Sequence, residues 1–373
     1  MSNRREVADL AHDLVSIPSH ETEAAVGDFI ESWLRSETDA TVVRDEAGAD
    51  ENRGGNVIAW KGTGDVSLAL VGHHDVVPPD DEQVDGDSYV VYEEDNRLYG
   101  RGAADMKGAV AAKLIAFRDA DPECELTFAS FVGEEVGGIG SQHAIETGFV
   151  PDYAVVGEGS TGYSQPGVTD VVVVHRGRRA STIVAHGEAA HASEHGAGIN
   201  AIYRACDAVD ILREMEPPET YVEEADETIQ GSVVATMIDG GETWNVIPDR
   251  CEVAIDERTV PGEYAPLEQI EELEGVEVVI DQDWPPMRCD DERFVEAVVD
   301  AAATAQDGSP QVVVKPHATD AGWLSAAGTQ CVVCGPSELG EAHTADESVS
   351  LESLGRCVDL YRTLSEHPDG DLF

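Results

Sequence analysis

Three short, almost wholly apolar runs constrain this chain more than anything else in it: SLALVGHHD at 67–75, LTFASFVGEE at 126–135 and YAVVGEG at 153–159. None shows the in–out alternation of a half-exposed strand, so each reads as a strand covered on both faces. Helical spacing lies around them. Val7, Leu10, Ala11 and Leu14 repeat on one face, as do Val26, Phe29, Ile30, Trp33 and Leu34, and MKGAVAAKLIAFRDA at 106–120 reads as a further helix. Buried strands separated by helices predict an α/β fold with a mostly parallel, doubly wound sheet.

The pattern changes near residue 169. RASTIVAHG is a predicted strand, NAIYRACDAVDILREM a helix, GSVVATMIDGG and RCEVAIDERTV strands, YAPLEQIEELEG a helix and VEVVID a strand. This β-α-β-β-α-β order is the ferredoxin-like split motif. WPPM at 284–287 reads as a linker. A helix at RFVEAVVDAAATA, strands at QVVVKPH and QCVVCGP, and a last helix with Ser350 as N-cap follow. The expected organisation is one discontinuous domain, 1–168 with 284–373, interrupted by an insert at 169–283.

Charge narrows the partners. Asp and Glu number 75 against 23 Lys and Arg, a formal net charge of -52. Such a field repels nucleic acid and anionic membranes. The acids are spread along the whole chain rather than gathered in a tail, which suits a surface adapted to high salt. No run approaches membrane-spanning length, and the first residues lack the apolar core of an export signal. The seven cysteines are an odd number and read as reduced, buried thiols of a cytoplasmic protein. Cys331 and Cys334 form a C-x-x-C without a second one, inside a segment that reads as a buried strand.

The apolar runs end in chemistry. In an open α/β sheet, ligands gather beyond the carboxyl ends of the strands. His73 and Asp75, two apart, share one side of an extended chain, so one can bind a metal while the other orients it. His74 points the other way. Asp105 lies between the glycines of GRGAADMKG at a helix start, where it suits either an N-cap or a carboxylate bridging two metals. Glu134 and Glu135 would repel each other at the end of so apolar a strand without a cation. Their side chains diverge, so one should bind metal and the other move protons. GEGSTG at 157–162 fits a dinucleotide-binding glycine pattern, but no helix follows it, and Glu158 reads as a metal ligand instead. His343 lies in a polar loop. Two histidines and several carboxylates at strand ends describe a paired-metal hydrolytic site.

GHHDVV, GRGAADMKG, GEEVGGIGS, VVGEGS and AHTADE, in that order, resemble the dinuclear zinc amidohydrolases. That group includes acetylornithine deacetylase, succinyl-diaminopimelate desuccinylase, aminoacylases and glutamate-type carboxypeptidases. The resemblance implies two Zn2+ (or Co2+) held by His73, Asp105, Glu135, Glu158 and His343, with Asp105 bridging. It implies Glu134 as general base and acid, and Asp75 as orienter of His73. It implies that the insert is a dimerisation lid in a homodimer, with His191 polarising the scissile carbonyl in the partner's site. Asn245, Arg258 and Thr319 are implied at the substrate. The expected substrate is a small N-acylated amino acid or short peptide. GPSELGEAHTADE resembles acetylornithine deacetylases and hydrolases that release lysine or ornithine from a carrier protein. Trp323 stands where relatives often carry an arginine. A dipeptidase or carboxypeptidase is the second enzymatic reading, and a metal-bound binding protein the non-enzymatic one.

Overall fold

Four parallel strands form the centre of the molecule: Glu125–Phe131, Ser67–His73, Tyr153–Val156 and Gln330–Val333, hydrogen-bonded in that order. A computed structural model describes residues 2–367. All four strands are buried on both faces almost from end to end. Their uniform apolar character has this origin, because helices cover both sides. Ser2–Val15, Gly108–Asp119 and Leu351–Ser365 pack together on one face. On the other, Ala69, Val71, Ala129 and Phe131 pack with Ala144, Ala321 and Leu324 of the short helices Ile139–Glu146 and Asp320–Ala326. Gly108–Asp119 is buried over most of its circumference, as its Ala-rich sequence suggests.

The sheet as a whole is mixed. Thr41–Arg44 and Val57–Lys61 extend one side antiparallel, and Val171–His175 adds antiparallel to Gln330–Val333. Thr41–Arg44 and Val57–Lys61 are joined by 45–56, which carries only the 3-10 turn Ala49–Glu51 and no crossover helix, and they pair antiparallel. Leu351–Ser365 begins as expected: the Ser350 hydroxyl accepts the N–H of Ser353.

The chain divides into two compact units. Among the described residues, one comprises 2–174, Met287–Lys315 and 319–367; the other is His175–Pro286 with Pro316–Ala318. The second unit has a four-stranded antiparallel sheet in the order Ser232–Gly240, Arg250–Arg258, Arg178–His186, Val276–Trp284. That is the strand order of a ferredoxin-like unit. Ala201–Glu214 covers one face, capped by the Asn200 side chain, and buries Ala201, Ala205, Ala208 and Leu212 against Ile183, Val253 and Ile255.

The second helix expected in this unit is different. Over 264–275 only Leu267–Gln269 is helical, and as a 3-10 turn. The bonds from Gln269, Ile270, Glu271 and Leu273 all reach back three residues. The apolar residues explain it: Leu267, Ile270 and Leu273 are spaced by three, the period of a 3-10 helix rather than an α-helix. One cysteine also departs from expectation. Cys206 is exposed on Ala201–Glu214, while the other six are buried. Cys331 and Cys334 are core residues. Among the described residues, no helix is long and apolar enough to cross a membrane.

Candidate metal centre

Strand ends and the loops after them bring five of the predicted residues together. His73, the last residue of its strand, turns Nε2 toward Asp105 Oδ1 at 3.1 Å and Glu158 Oε1 at 3.2 Å. His343 turns its Nε2 toward the other oxygen of Asp105, Oδ2, at 3.0 Å and toward Glu135 Oε1 at 3.1 Å. Asp105 therefore stands between two groups of donors, one oxygen facing each. Separations of this size are close to those between neighbouring ligands of one tetrahedral ion bound at about 2.0–2.1 Å. His73, Asp105 and Glu135 each offer a ligand atom within 4.8 Å of one another.

Asp75 ties the two strand ends together. Its Oδ1 lies 3.3 Å from His73 Nδ1, and its oxygens accept the backbone N–H groups of Glu134 at 3.1 Å and Glu135 at 3.0 Å. One buried carboxylate thus fixes the imidazole and the turn that presents the glutamate pair. His74 packs away from the cluster, its Nδ1 2.8 Å from Ser130 Oγ, and burial pushes its pKa down to about 3.

Burial and neighbouring charges shift the titration of these groups. Burial pushes Glu134 well above the usual carboxylate range; His73 opposes this, and Asp320, Glu158 and Glu135 add to it. Burial, then Asp105, raise Glu135 to about 7. Burial would lower His73, but Asp105, Asp75 and Glu158 outweigh it and hold the imidazole well above the usual histidine range. Hydrogen bonds to Asp105 and Glu135 lift His343 to about 10. A donor set of imidazole nitrogen and carboxylate oxygen, held this closely, could hold divalent metal ions.

The sequence matches Peptidase family M20/M25/M40 over residues 69–367. The chain belongs to this family. It is a metal-dependent hydrolase. Acetylornithine deacetylase of Myxococcus xanthus is 31% identical over 334 residues, 84% of this chain and 83% of the relative. That of Klebsiella pneumoniae (strain 342) is 30% identical with the same coverage. Among solved structures, aminopeptidase PepT from Bacillus cereus superposes with a TM-score of 0.78, 18% identity and 97% of each chain covered. The YXEP protein of Bacillus subtilis, a dinuclear metal-binding peptidase of the M20 family, gives 0.71 with 16% identity and 98% of each chain covered.

Three other predicted residues belong to the inserted unit. His191 is exposed, and its Nδ1 faces Ser193 Oγ at 2.6 Å. It pairs with Val246, and the Asn245 carbonyl accepts the N–H of Ala192, so Asn245 adjoins the two-stranded ribbon that carries His191. Arg258 closes the strand Arg250–Arg258, whose other end pairs with His186. At about 3.3 Å per residue, roughly 26 Å of strand separates Arg258 from Arg250. Arg258 is therefore at the opposite end of its sheet from the strand end that leads to His191. Its Nε donates to Asp256 at 2.8 Å. Thr319 is buried, and its hydroxyl caps Asp320–Ala326 by accepting the N–H of Ala321.

Two groups at the centre escaped the sequence reading. Glu347 is buried, and its Oε1 accepts the N–H groups of Gly102, Ala104 and Asp105 at 2.9–3.0 Å. Its Oε2 pairs with the buried Arg101 at 2.6 Å. Glu347 thereby shapes the loop that presents Asp105, and the available signal was its place four residues after His343. The other is Lys315, 4.0 Å from Glu158 Oε2, for which the sequence carries no signal.

Proposed function

We propose that this chain is a two-metal N-acyl amino-acid amidohydrolase, of the acetylornithine deacetylase or succinyl-diaminopimelate desuccinylase kind, serving arginine or lysine biosynthesis. The observation that carries this reading is Asp105, with one oxygen toward His73 and the other toward His343. Identity of about 30% with acetylornithine deacetylases over most of the chain supports the substrate class. His73, Asp105 and Glu158 would hold one ion, and His343, Asp105 and Glu135 the other, zinc or cobalt. Such ions supply Lewis acidity toward an amide carbonyl and make bound water more acidic. Glu134 takes the proton from the attacking water and passes it to the departing amine. Asp75 holds His73 and the Glu134–Glu135 turn in place. His191 donates to the developing oxyanion. Asn245 and Arg258 hold the substrate carboxylate, Arg258 through its forked guanidinium. Thr319, whose hydroxyl is engaged at a helix start, acts by shaping its loop.

The test is release of free amine from N-acetylornithine, N-succinyl-diaminopimelate and simple dipeptides. An N-acyl amino acid should be cleaved, activity should vanish with a strong chelator, and Zn2+ or Co2+ should restore it. Cleavage of dipeptides alone would move the enzyme to the peptidase reading.

A second copy completes this site in our reading. A substrate a few ångströms across cannot touch both His191, on its own two-stranded ribbon, and Arg258, at the end of its strand remote from the one that leads to His191, in one chain. Ser232–Gly240, an edge strand with Val234, Met237 and Ile238 exposed, is a surface suited to strand pairing between copies. Co-assembling two inactive variants, His191→Ala and Glu134→Gln, should therefore recover about a quarter of wild-type activity. Half the dimers are mixed, and one of their two sites is intact. No recovery would place His191 in its own subunit's site. The surface charge supports a cytoplasm rich in salt as the setting.

A further inference from the structure

The chain has only four lysines against its 75 acidic residues, and each donates to a main-chain carbonyl. Lys61 reaches Arg118 and Ala120, Lys107 reaches Ile17, Lys113 reaches Val155 and Lys315 reaches Gly159. Two of those carbonyls bracket Glu158. Lys315 is 7% exposed and has a second neighbour, Glu158 Oε2, at 4.0 Å. The other oxygen of that carboxylate, Oε1, lies 3.2 Å from His73 Nε2. Glu158 therefore faces His73 with one oxygen and a buried ammonium with the other.

We propose that Lys315 is a positioning residue of the metal centre, whose charge sets how tightly the Glu158 side holds its ion. The inference rests on the reading of Glu158 as a ligand. An ammonium and a divalent ion beside one carboxylate share its negative charge and repel each other. Because the pair is buried, salt screens this little. Lys315 thus weakens ion binding on one side of Asp105 and not on the other. An ion less neutralised by its surroundings polarises a carbonyl more strongly, so the cost in affinity favours turnover. At 4.0 Å the Lys315–Glu158 contact is one of charge; the hydrogen bond goes to Gly159 at 2.8 Å. Tether and charge can therefore be separated by substitution.

Lys315→Gln keeps a donor for Gly159 and loses the charge, Lys315→Met loses both, and Lys315→Arg keeps both. The measurement is Co2+ titration of chelator-stripped protein against a competing chelating dye in multimolar KCl, with far-UV circular dichroism to show that each variant is folded. Wild type should take up two ions. Lys315→Gln and Lys315→Met should take up two, one of them roughly tenfold more tightly, and kcat should fall. Lys315→Arg should follow wild type. Unchanged or weaker binding in both charge-free variants would reduce Lys315 to a tether and overturn the proposal. Failure of wild type to bind any ion would instead overturn the metal-centre reading itself, and the role of Lys315 with it.

Discussion

Glu134→Gln is expected to lower kcat by about 10²–10⁴, the range a positioned acid–base group contributes, while two metal ions per chain remain bound. The substitution keeps the size and shape of the side chain and removes only its ability to take a proton. Glu134 is the member of the pair chosen for this change because of what its neighbour does. Glu135 Oε1 is 3.1 Å from His343 Nε2, within the group around Asp105 Oδ2. Glu134 is buried at the same strand end, with its backbone N–H held by Asp75. Burial and the charges of Asp320, Glu158 and Glu135 push its carboxyl upward against the pull of His73. That direction suits a group that must accept a proton near neutral pH and release it again. Amine release gives kcat, and metal analysis of the same preparation gives ion content. Glu135→Gln is the informative contrast: it should lose about one ion per chain along with activity. Full activity in Glu134→Gln, or loss of metal from it, would remove Glu134 from the proton-transfer role.

What could be read from sequence follows from which interactions are local. Each apolar run that predicted a buried strand carries its own reactive residue at its end, so His73, the glutamate pair and Glu158 were visible with their strands. Asp105 was marked by the glycines around it. Glu347 was not, because its task is defined by three N–H groups more than 240 positions earlier in the chain. Lys315 escaped for the same reason: VVVK reads as an ordinary strand, and only folding brings its ammonium beside Glu158. The inserted unit shows a different limit. YAPLEQIEELEG has helix-favouring composition, but its apolar residues recur every three positions, and packing followed that period rather than composition. Sheet direction was legible only at the centre, where helices must intervene between neighbours; the outer strands pair antiparallel, two of them with partners far away in the chain.

Moving the protein from multimolar to about 0.1 M KCl should unfold it. With 75 acidic residues against 23 basic ones, the acids exceed Lys and Arg by 52, so most of the carboxylate charge has no basic side chain to balance it. The arginines are already heavily engaged, as in Arg53 with Glu23 and Glu51, Arg97 with Glu338 and Glu341, and Arg178 with Asp256. At 1 M salt the screening length is about 3 Å, shorter than most distances between surface charges; at 0.1 M it is about 10 Å, and neighbouring carboxylates repel one another. A native state holds only about 5–15 kcal/mol in reserve, which repulsion among dozens of unpaired charges can exceed. Far-UV circular dichroism and thermal midpoints across a KCl series measure the effect. A thermal midpoint that moves by only a few degrees between 2 M and 0.1 M would rule it out. Two controls separate screening from other actions of salt. Sucrose, which favours compact states without carrying charge, should not replace KCl, whereas tens of millimolar Mg2+ should do so in part. A chelator in high salt should abolish activity and leave the fold intact, because the metal centre is a small part of a core that spans both faces of the sheet.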